Sequence, residues 1–331
     1  MQGFEENDIS KNSNGGTEIT KRALTEYVPA ELVEHFQIIP SRVRDINPEK
    51  IRVYWQHDLA GDPEVNHLAG SESRDRFHQF VFSSNWQLND FVTKLQFPRN
   101  KKVSVIETPI KPIEVKQKDF NDKIRLIYFS TPHRGLDVLV PVFEHLAKTY
   151  SNIHLDVFSS FKIYGWEDSD QQYEPLFEKV RQHPQMTYHG SVDQATLRNA
   201  LADAHILAYP NIWEETSCRV LIESMSAGLV CVHPNLAALP DTSGGLTSMY
   251  QFDESPNEHA AVFHRNLDHA IQVVANEPIQ NYLKFVKAYA DSRFNIDKIS
   301  SQWESLLTVL KEEYPTVESR VLAKQMFTYS T

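Results

Sequence analysis

A chain of 331 residues, 41% hydrophobic and 23% charged, has ordinary globular composition and exceeds the ~250–300 residues at which one core divides, so two domains are expected. Its net charge of −11 argues against nucleic acid or an anionic membrane as the main partner, since both reward basic surface. Two cysteines, Cys218 and Cys231, are too few for a disulfide framework, no apolar run nears the ~20 residues of a membrane span, and residues 1–6 lack the basic and apolar parts of a signal segment; a cytoplasmic chain with no integral membrane segment is expected.

Residues 1–16 are polar and end in Gly15-Gly16. Ile19, Ala23, Leu24 and Tyr27 share a face of a predicted helix over 17–27. Strands are predicted over 36–39, stopped by Pro40, and over 51–55, which is followed by His57-Asp58 and a Gly61-Asp62-Pro63 turn. A strand over 80–84, a helix over 85–95 and a strand over 103–106 complete a β-α-β unit. The basic knot Pro98-Arg99-Asn100-Lys101-Lys102 reads as a solvated turn. Residues 108–122 carry Pro109, Pro112, Lys111, Lys116 and Lys118 and resemble a linker, so the expected domains are 1–113 and 114–331.

The second half has a cleaner rhythm. Strands over 124–130, 154–158, 186–189 and 206–209 alternate with helices over 136–150, 173–182 and 193–201, which predicts a parallel sheet wound by helices on both faces. After the fourth strand come Glu215-Thr216-Ser217-Cys218-Arg219-Val220-Leu221-Ile222-Glu223. The first carboxylate lies on a loop and the second about two turns into a helix. Gly228 stops that helix and Leu229-Val230-Cys231-Val232 begins another strand. Helices over 259–276 and 299–313 close the chain.

Ligands of such sheets bind at the carboxyl ends of the strands, against helix N-termini. A pair of carboxylates spaced like Glu215 and Glu223 suits a ligand with two hydroxyl-bearing rings, because carboxylates accept from vicinal hydroxyls. The bland reading is an i,i+4 ion pair between Arg219 and Glu223 on a helix surface, worth ~0.2–0.5 kcal/mol, with Glu215 an ordinary acid before a helix.

The E-x7-E pattern, the Ala227-Gly228 helix end and the later Leu239-Pro240-Asp241 resemble the donor site of retaining glycosyltransferases of family 4, glycosyl transferases group 1, of GT-B fold. The resemblance implies an α/β chain of two Rossmann-like domains facing a cleft, with the C-terminal helix returning to the first domain. It gives Glu215 the hexose and Glu223 the ribose of a nucleotide sugar, with Thr216, Ser217, Cys218 and Arg219 at the same site. In Phe129-Ser130-Thr131-Pro132-His133-Arg134-Gly135, the family's basic residue followed by glycine falls on Arg134-Gly135. There the guanidinium and the N–H groups of a helix start form an anion site for a diphosphate. Pro132 and His133 replace the glycines a dinucleotide fold needs. Lys162, after another strand end, is a candidate second cation or a solvated lysine. Gly15 and Gly16 match a Gly-Gly loop that faces the phosphates, and His57 matches a histidine near the transferred sugar or is a structural histidine bonded to Asp58 or backbone.

Asp168-Ser169-Asp170 sits in a polar run rather than ending an apolar strand, and His183 and His189 stand apart from other ligand types, so neither metal nor cofactor is expected. The family follows its first glutamate with glycine, an aromatic residue and glycine. Here Thr216-Ser217-Cys218 keeps the backbone donors but not glycine's dihedral range, and the Thr216 and Ser217 hydroxyls are expected to cap the helix or bind the sugar. The first domain has about four strands and none before Gly15-Gly16, which predicts a truncated sheet. The expected function is transfer of a hexose-type sugar from a nucleotide-diphosphate sugar to an acceptor that the residues do not identify. A nucleotide-sugar epimerase of the same architecture and a non-catalytic nucleotide-sugar-binding protein are the alternatives.

Overall fold

The structure, a computed structural model, describes residues 16–99 and 102–322. They form two compact units, one from the described residues up to Pro109 and from Phe294 onward, the other from Ile110–Arg293. The boundary thus precedes the expected one by four residues, and the C-terminal segment belongs to the first unit. Local packing explains the shift. Ile110 and Ile113 are buried, the Ile113 N–H donates to Ser226 Oγ at 2.9 Å, and Arg198 donates to the carbonyls of Lys111 and Pro112. Residues expected as a linker are therefore laid along the second unit.

In the first unit, α1 (Gly16–Tyr27) and α2 (Ala30–Val33) precede β1 (Phe36–Pro40) and β2 (Ile51–Trp55). Then come α3 (Ser71–Arg74), β3 (Gln79–Phe82), α4 (Asn85–Leu95) and β4 (Val103–Val105). The four strands are parallel, in the order β1-β2-β3-β4. Alternation along the strands gives the sheet two apolar faces. Ile38, Val53, Trp55 and Val81 share one cluster with Leu24, Trp303 and Leu307; Ile39, Tyr54, Phe80 and Phe82 share the other with Phe91 and Phe97. Cover on both faces is why β1, β2 and β3 read as short, nearly continuous apolar runs.

The second unit runs β5 (Ile124–Phe129), α5 (Leu136–Ala147), β6 (Ile153–Phe158), α6 (Glu174–Gln182), β7 (Met186–Tyr188), α7 (Gln194–Asp203) and β8 (Ile206–Ala208). It continues with α8 (Arg219–Ser226), β9 (Val230–Pro234), α9 (Leu239–Ser243), β10 (Ser248–Tyr250), α10 (Pro256–Val273) and α11 (Glu277–Arg293); α12 (Ile296–Glu313) then packs with α1 in the first unit. Six parallel strands lie in the order β10-β9-β8-β5-β6-β7. The chain winds outward from β5 to β7, then comes back to place β8 on the other side of β5. The order reverses between β5 and β8, which is the crevice where doubly wound sheets bind ligands.

The elements that escape the sequence pattern are β10, α11 and the short helices α2, α3 and α9. Only Leu283, Val286 and Ala290 of α11 are buried, while Tyr282 and Phe285 are exposed, so its apolar stripe is broken. It matters nonetheless, because α11 packs on α8. Ser226 Oγ donates to Asp291, and Lys287 Nζ donates to the Ser226 carbonyl and pairs with Asp291. The end of α8 is closed by Gly228 at φ 67°, with Gly228 N–H to Met225 O and Leu229 N–H to Ser224 O, the paired bonds of a left-handed glycine cap.

Candidate functional site

Two loops meet at the β5/β8 crevice. The first runs from Ser130 through a 3-10 turn, Pro132–Arg134, into α5; the second runs from Tyr209 to Cys218 and into α8. Gly135 sits at their contact with φ 105°, and a Cβ there would lie 2.1 Å from the Pro210 carbonyl oxygen. That approach brings Arg134 Nη1 to 3.2 Å from Glu215 Oε1, with side chains 21% and 10% exposed. Burial is the largest single influence on Arg134 and opposes its charge, but Glu215 first, then Tyr164, Tyr209 and Cys218, together outweigh it and hold the guanidinium above its ordinary value. Tyr209 Oη donates to the same Glu215 oxygen at 2.9 Å. The Glu215 carbonyl accepts the N–H of Ala238 at 3.1 Å, tying the loop to the start of α9.

Glu223, two turns along α8, is 3% exposed and takes both Arg219 Nε at 3.0 Å and Arg219 Nη2 at 2.8 Å on its Oε1. The i,i+4 pair foreseen from the sequence is therefore present, but its carboxylate is buried rather than on a helix surface. In this pair and in the Arg134–Glu215 pair, the arginine engages Oε1. Arg219→Ala is expected to strand the buried Glu223 carboxylate and destabilise the protein by about 3–5 kcal/mol, read as a lower urea midpoint at unchanged slope.

Around the pair lie buried polar atoms with no hydrogen-bond partner among the described residues: Thr131 Oγ1, Arg134 Nε and His133 Nδ1 on the first loop, and Ser159 Oγ after β6. Gathered at the carboxyl ends of β5 and β6, these groups offer hydrogen-bonding atoms to water or a polar ligand. An aromatic layer joins the three loops. The His133 ring stacks on Phe161 at 5.2 Å and meets Trp213 edge-on at 4.9 Å. Burial, then Arg134, pushes His133 down to about 4, so it is neutral near pH 7. Asn211, fully buried, clamps Trp213 by donating to its carbonyl and accepting its N–H.

The remaining expected residues are distributed as follows. Cys218 holds the N-cap position of α8, with Thr216 and Ser217 directly before it. Cys218 is buried, and burial, then Glu215, pushes its thiol well up. Lys162 is exposed in the 3-10 turn Phe161–Tyr164 and pairs with Glu167 at 3.3 Å. Asp170 receives Ser160 Oγ and the Phe161 N–H, so it fixes the loop after β6. Among the described residues, no group of three or more His, Cys, Asp or Glu side chains is gathered to hold a metal ion.

In the first unit, His57 follows β2 with its ring 4.3 Å from that of Trp55, and burial pushes it down to about 3. The neutral imidazole is the form present near pH 7. Gly16 is the first residue of α1, and a Cβ there would meet open space; Gly15 lies outside the described residues. Tyr209, Thr131, Ser159 and Trp213 were not foreseen as site residues. One signal was available: each is at or just beyond the carboxyl end of a strand, where a parallel sheet exposes its ligand edge.

Residues 124–268 match the family model described as glycosyl transferases group 1. Among curated proteins, none matches the sequence. A glycosyltransferase from Rickettsia africae superposes with a TM-score of 0.65 at 14% identity, over 92% of this chain and 83% of that one. Sucrose-phosphate synthase from Thermosynechococcus elongatus gives 0.62 at 13% identity, over 89% and 78%. HepE of Anabaena, solved in complex with UDP-glucose, gives 0.58 at 14% identity, over 89% and 82%. Among the described residues no helix is long and apolar enough to cross a membrane. The chain has the GT-B fold of these glycosyltransferases, two Rossmann-like α/β units, and its second unit carries the match to glycosyl transferases group 1.

Proposed function

We propose that the protein is a retaining, metal-independent hexosyltransferase of family 4 that uses a nucleotide-diphosphate sugar as donor. The observation that carries this reading is the Arg134–Glu215 pair at 3.2 Å, set in the β5/β8 crevice beside the unpartnered Thr131, Arg134 and Ser159 atoms. One cation and one acid at a single point suit a ligand whose sugar hydroxyls and diphosphate lie side by side. Glu215 takes the hexose hydroxyls and Glu223 the ribose, while Thr216, Ser217, Cys218 and Arg219 line the start of α8 beneath them. When the bond between the anomeric carbon and the diphosphate breaks, its electron pair leaves on the diphosphate. Arg134 and the N–H groups at the start of α5, with Lys162 swinging from Glu167, meet the growing charge. The acceptor hydroxyl bonds to the same carbon, on the face that the diphosphate leaves, and its proton passes to an oxygen of the departing diphosphate.

The donor reading rests on residues of the second unit alone; His57 and Gly16 belong to the first. No cofactor is invoked. The two buried free cysteines fit a reducing, cytoplasmic setting. HepE, which shares the fold, was solved with UDP-glucose, so UDP-sugars head the list of donors to try.

The test is incubation with a panel of nucleotide sugars, following both free nucleotide and the sugar. A transferase releases nucleotide slowly by hydrolysis even without its acceptor, an epimerase alters the sugar and releases none, and a binding protein does neither. Arg134→Ala and Glu223→Ala should each weaken nucleotide-sugar affinity about tenfold or more, as loss of a hydrogen bond to a charged group does. Titration calorimetry reads this directly, and unchanged affinity in both variants would remove the site.

A further inference from the structure

The least expected group in the crevice is a phenol. Tyr209 follows β8, is fully buried, and donates its Oη to Glu215 Oε1 at 2.9 Å. That oxygen also meets Arg134 Nη1 at 3.2 Å. A carboxylate gripped on one oxygen from two directions has its orientation set. Phenylalanine would fill the same space without burying a hydroxyl, so the phenol's stabilisation lies in the bond it makes. Burial, then Glu215, lifts the Tyr209 pKa well above its ordinary value, which keeps its proton in place as the donor.

Tyr209 is itself held. Its N–H donates to Val232 O at 3.0 Å. Its ring lies 6.0 Å from that of Tyr128, near the end of the neighbouring strand β5. Tyr128 Oη in turn donates to the Thr131 carbonyl at 2.9 Å. Two adjacent buried tyrosines therefore reach forward past the strand ends, one fixing the loop that carries Arg134 and the other fixing Glu215. A rigid shell of this kind is what keeps a binding constellation in its productive geometry.

We infer that Tyr209 is a positioning residue that, jointly with Arg134, orients the Glu215 carboxylate toward the sugar of a nucleotide sugar without touching that sugar itself. This rests on the nucleotide-sugar reading above, and the experiment separates the two. Tyr209→Phe is titrated with the nucleotide sugar that the wild-type protein binds, UDP-glucose first, and with the matching nucleoside diphosphate. The expected result is affinity about tenfold weaker for the nucleotide sugar, with the nucleoside diphosphate bound as by wild type, which also reports an intact fold. Equal affinity for the nucleotide sugar overturns the inference. So does an equal loss for both ligands, the mark of a merely structural role. A second arm pairs Tyr209→Phe with Glu215→Gln: the two losses should be strongly non-additive if Tyr209 acts through Glu215, and simple addition rejects it. A wild-type protein that binds no nucleotide sugar overturns the parent reading, and this one with it.

Discussion

Glu215→Ala is expected to lower the rate of donor hydrolysis or transfer by about 100-fold or more, the scale of loss when a bound substrate is misplaced by roughly an ångström. The residue stands at the centre of the crevice, with Arg134 Nη1 and Tyr209 Oη both on its Oε1. Its removal therefore takes away more than a ligand contact. Arg134, 21% exposed, keeps a charge without its counter-ion, and breaking a buried pair from one side costs about 3–5 kcal/mol, less here for the solvent that reaches the guanidinium. Glu215→Gln separates the two effects. The amide keeps the shape and still accepts from Tyr209, but cannot neutralise Arg134. If the carboxylate is needed for the sugar, Glu215→Gln should recover only part of the thermal stability, through shape and the Tyr209 hydrogen bond, and little of the activity. Near wild-type turnover in Glu215→Ala would show that the acid has no part in the chemistry.

Gly135→Ala should be nearly as damaging, for a steric reason. The alanine Cβ would stand 2.1 Å from the Pro210 carbonyl oxygen and 2.9 Å from its carbon, at φ 105°. Neither neighbouring atom is the free end of a side chain, so the two loops must part. The backbone conformation costs roughly 1–3 kcal/mol for a residue with a side chain, and the forced separation a further 1–3 kcal/mol or so. Because Arg134 lies on one loop and Glu215 on the other, parting them also opens their 3.2 Å contact. Thermal unfolding should shift down by several degrees and nucleotide-sugar affinity should fall along with it. A variant that melts like wild type would mean the loops do not approach as described.

Much of the second unit was legible from the chain. Its strands and helices alternate with apolar runs of the right length, so β5 through α8 were expected close to where they lie. Gly228 announced the end of α8 because a left-handed cap there accepts almost nothing else. The linker was misjudged because prolines and lysines look alike whether a segment is free or pinned, and only the burial of Ile110 and Ile113 decides. The helix α11 was missed because too few of its residues face inward to make a stripe.

Local pattern was enough for the α/β class, the Glu215–Glu223 spacing and the basic turn at Arg134-Gly135, since periodicity, caps and motifs act over a few residues. Which partners those groups take was decided elsewhere. Strand order is a long-range choice: placing β8 beside β5 is what lets Arg134 reach Glu215 and turns Tyr209 from a strand-end residue into a support for it. Burial of the Arg219–Glu223 pair needed the body of the second unit around α8. Short-range regularity carries no information about neighbours brought together by a crossover, and electrostatics depends on those neighbours and on the water they exclude.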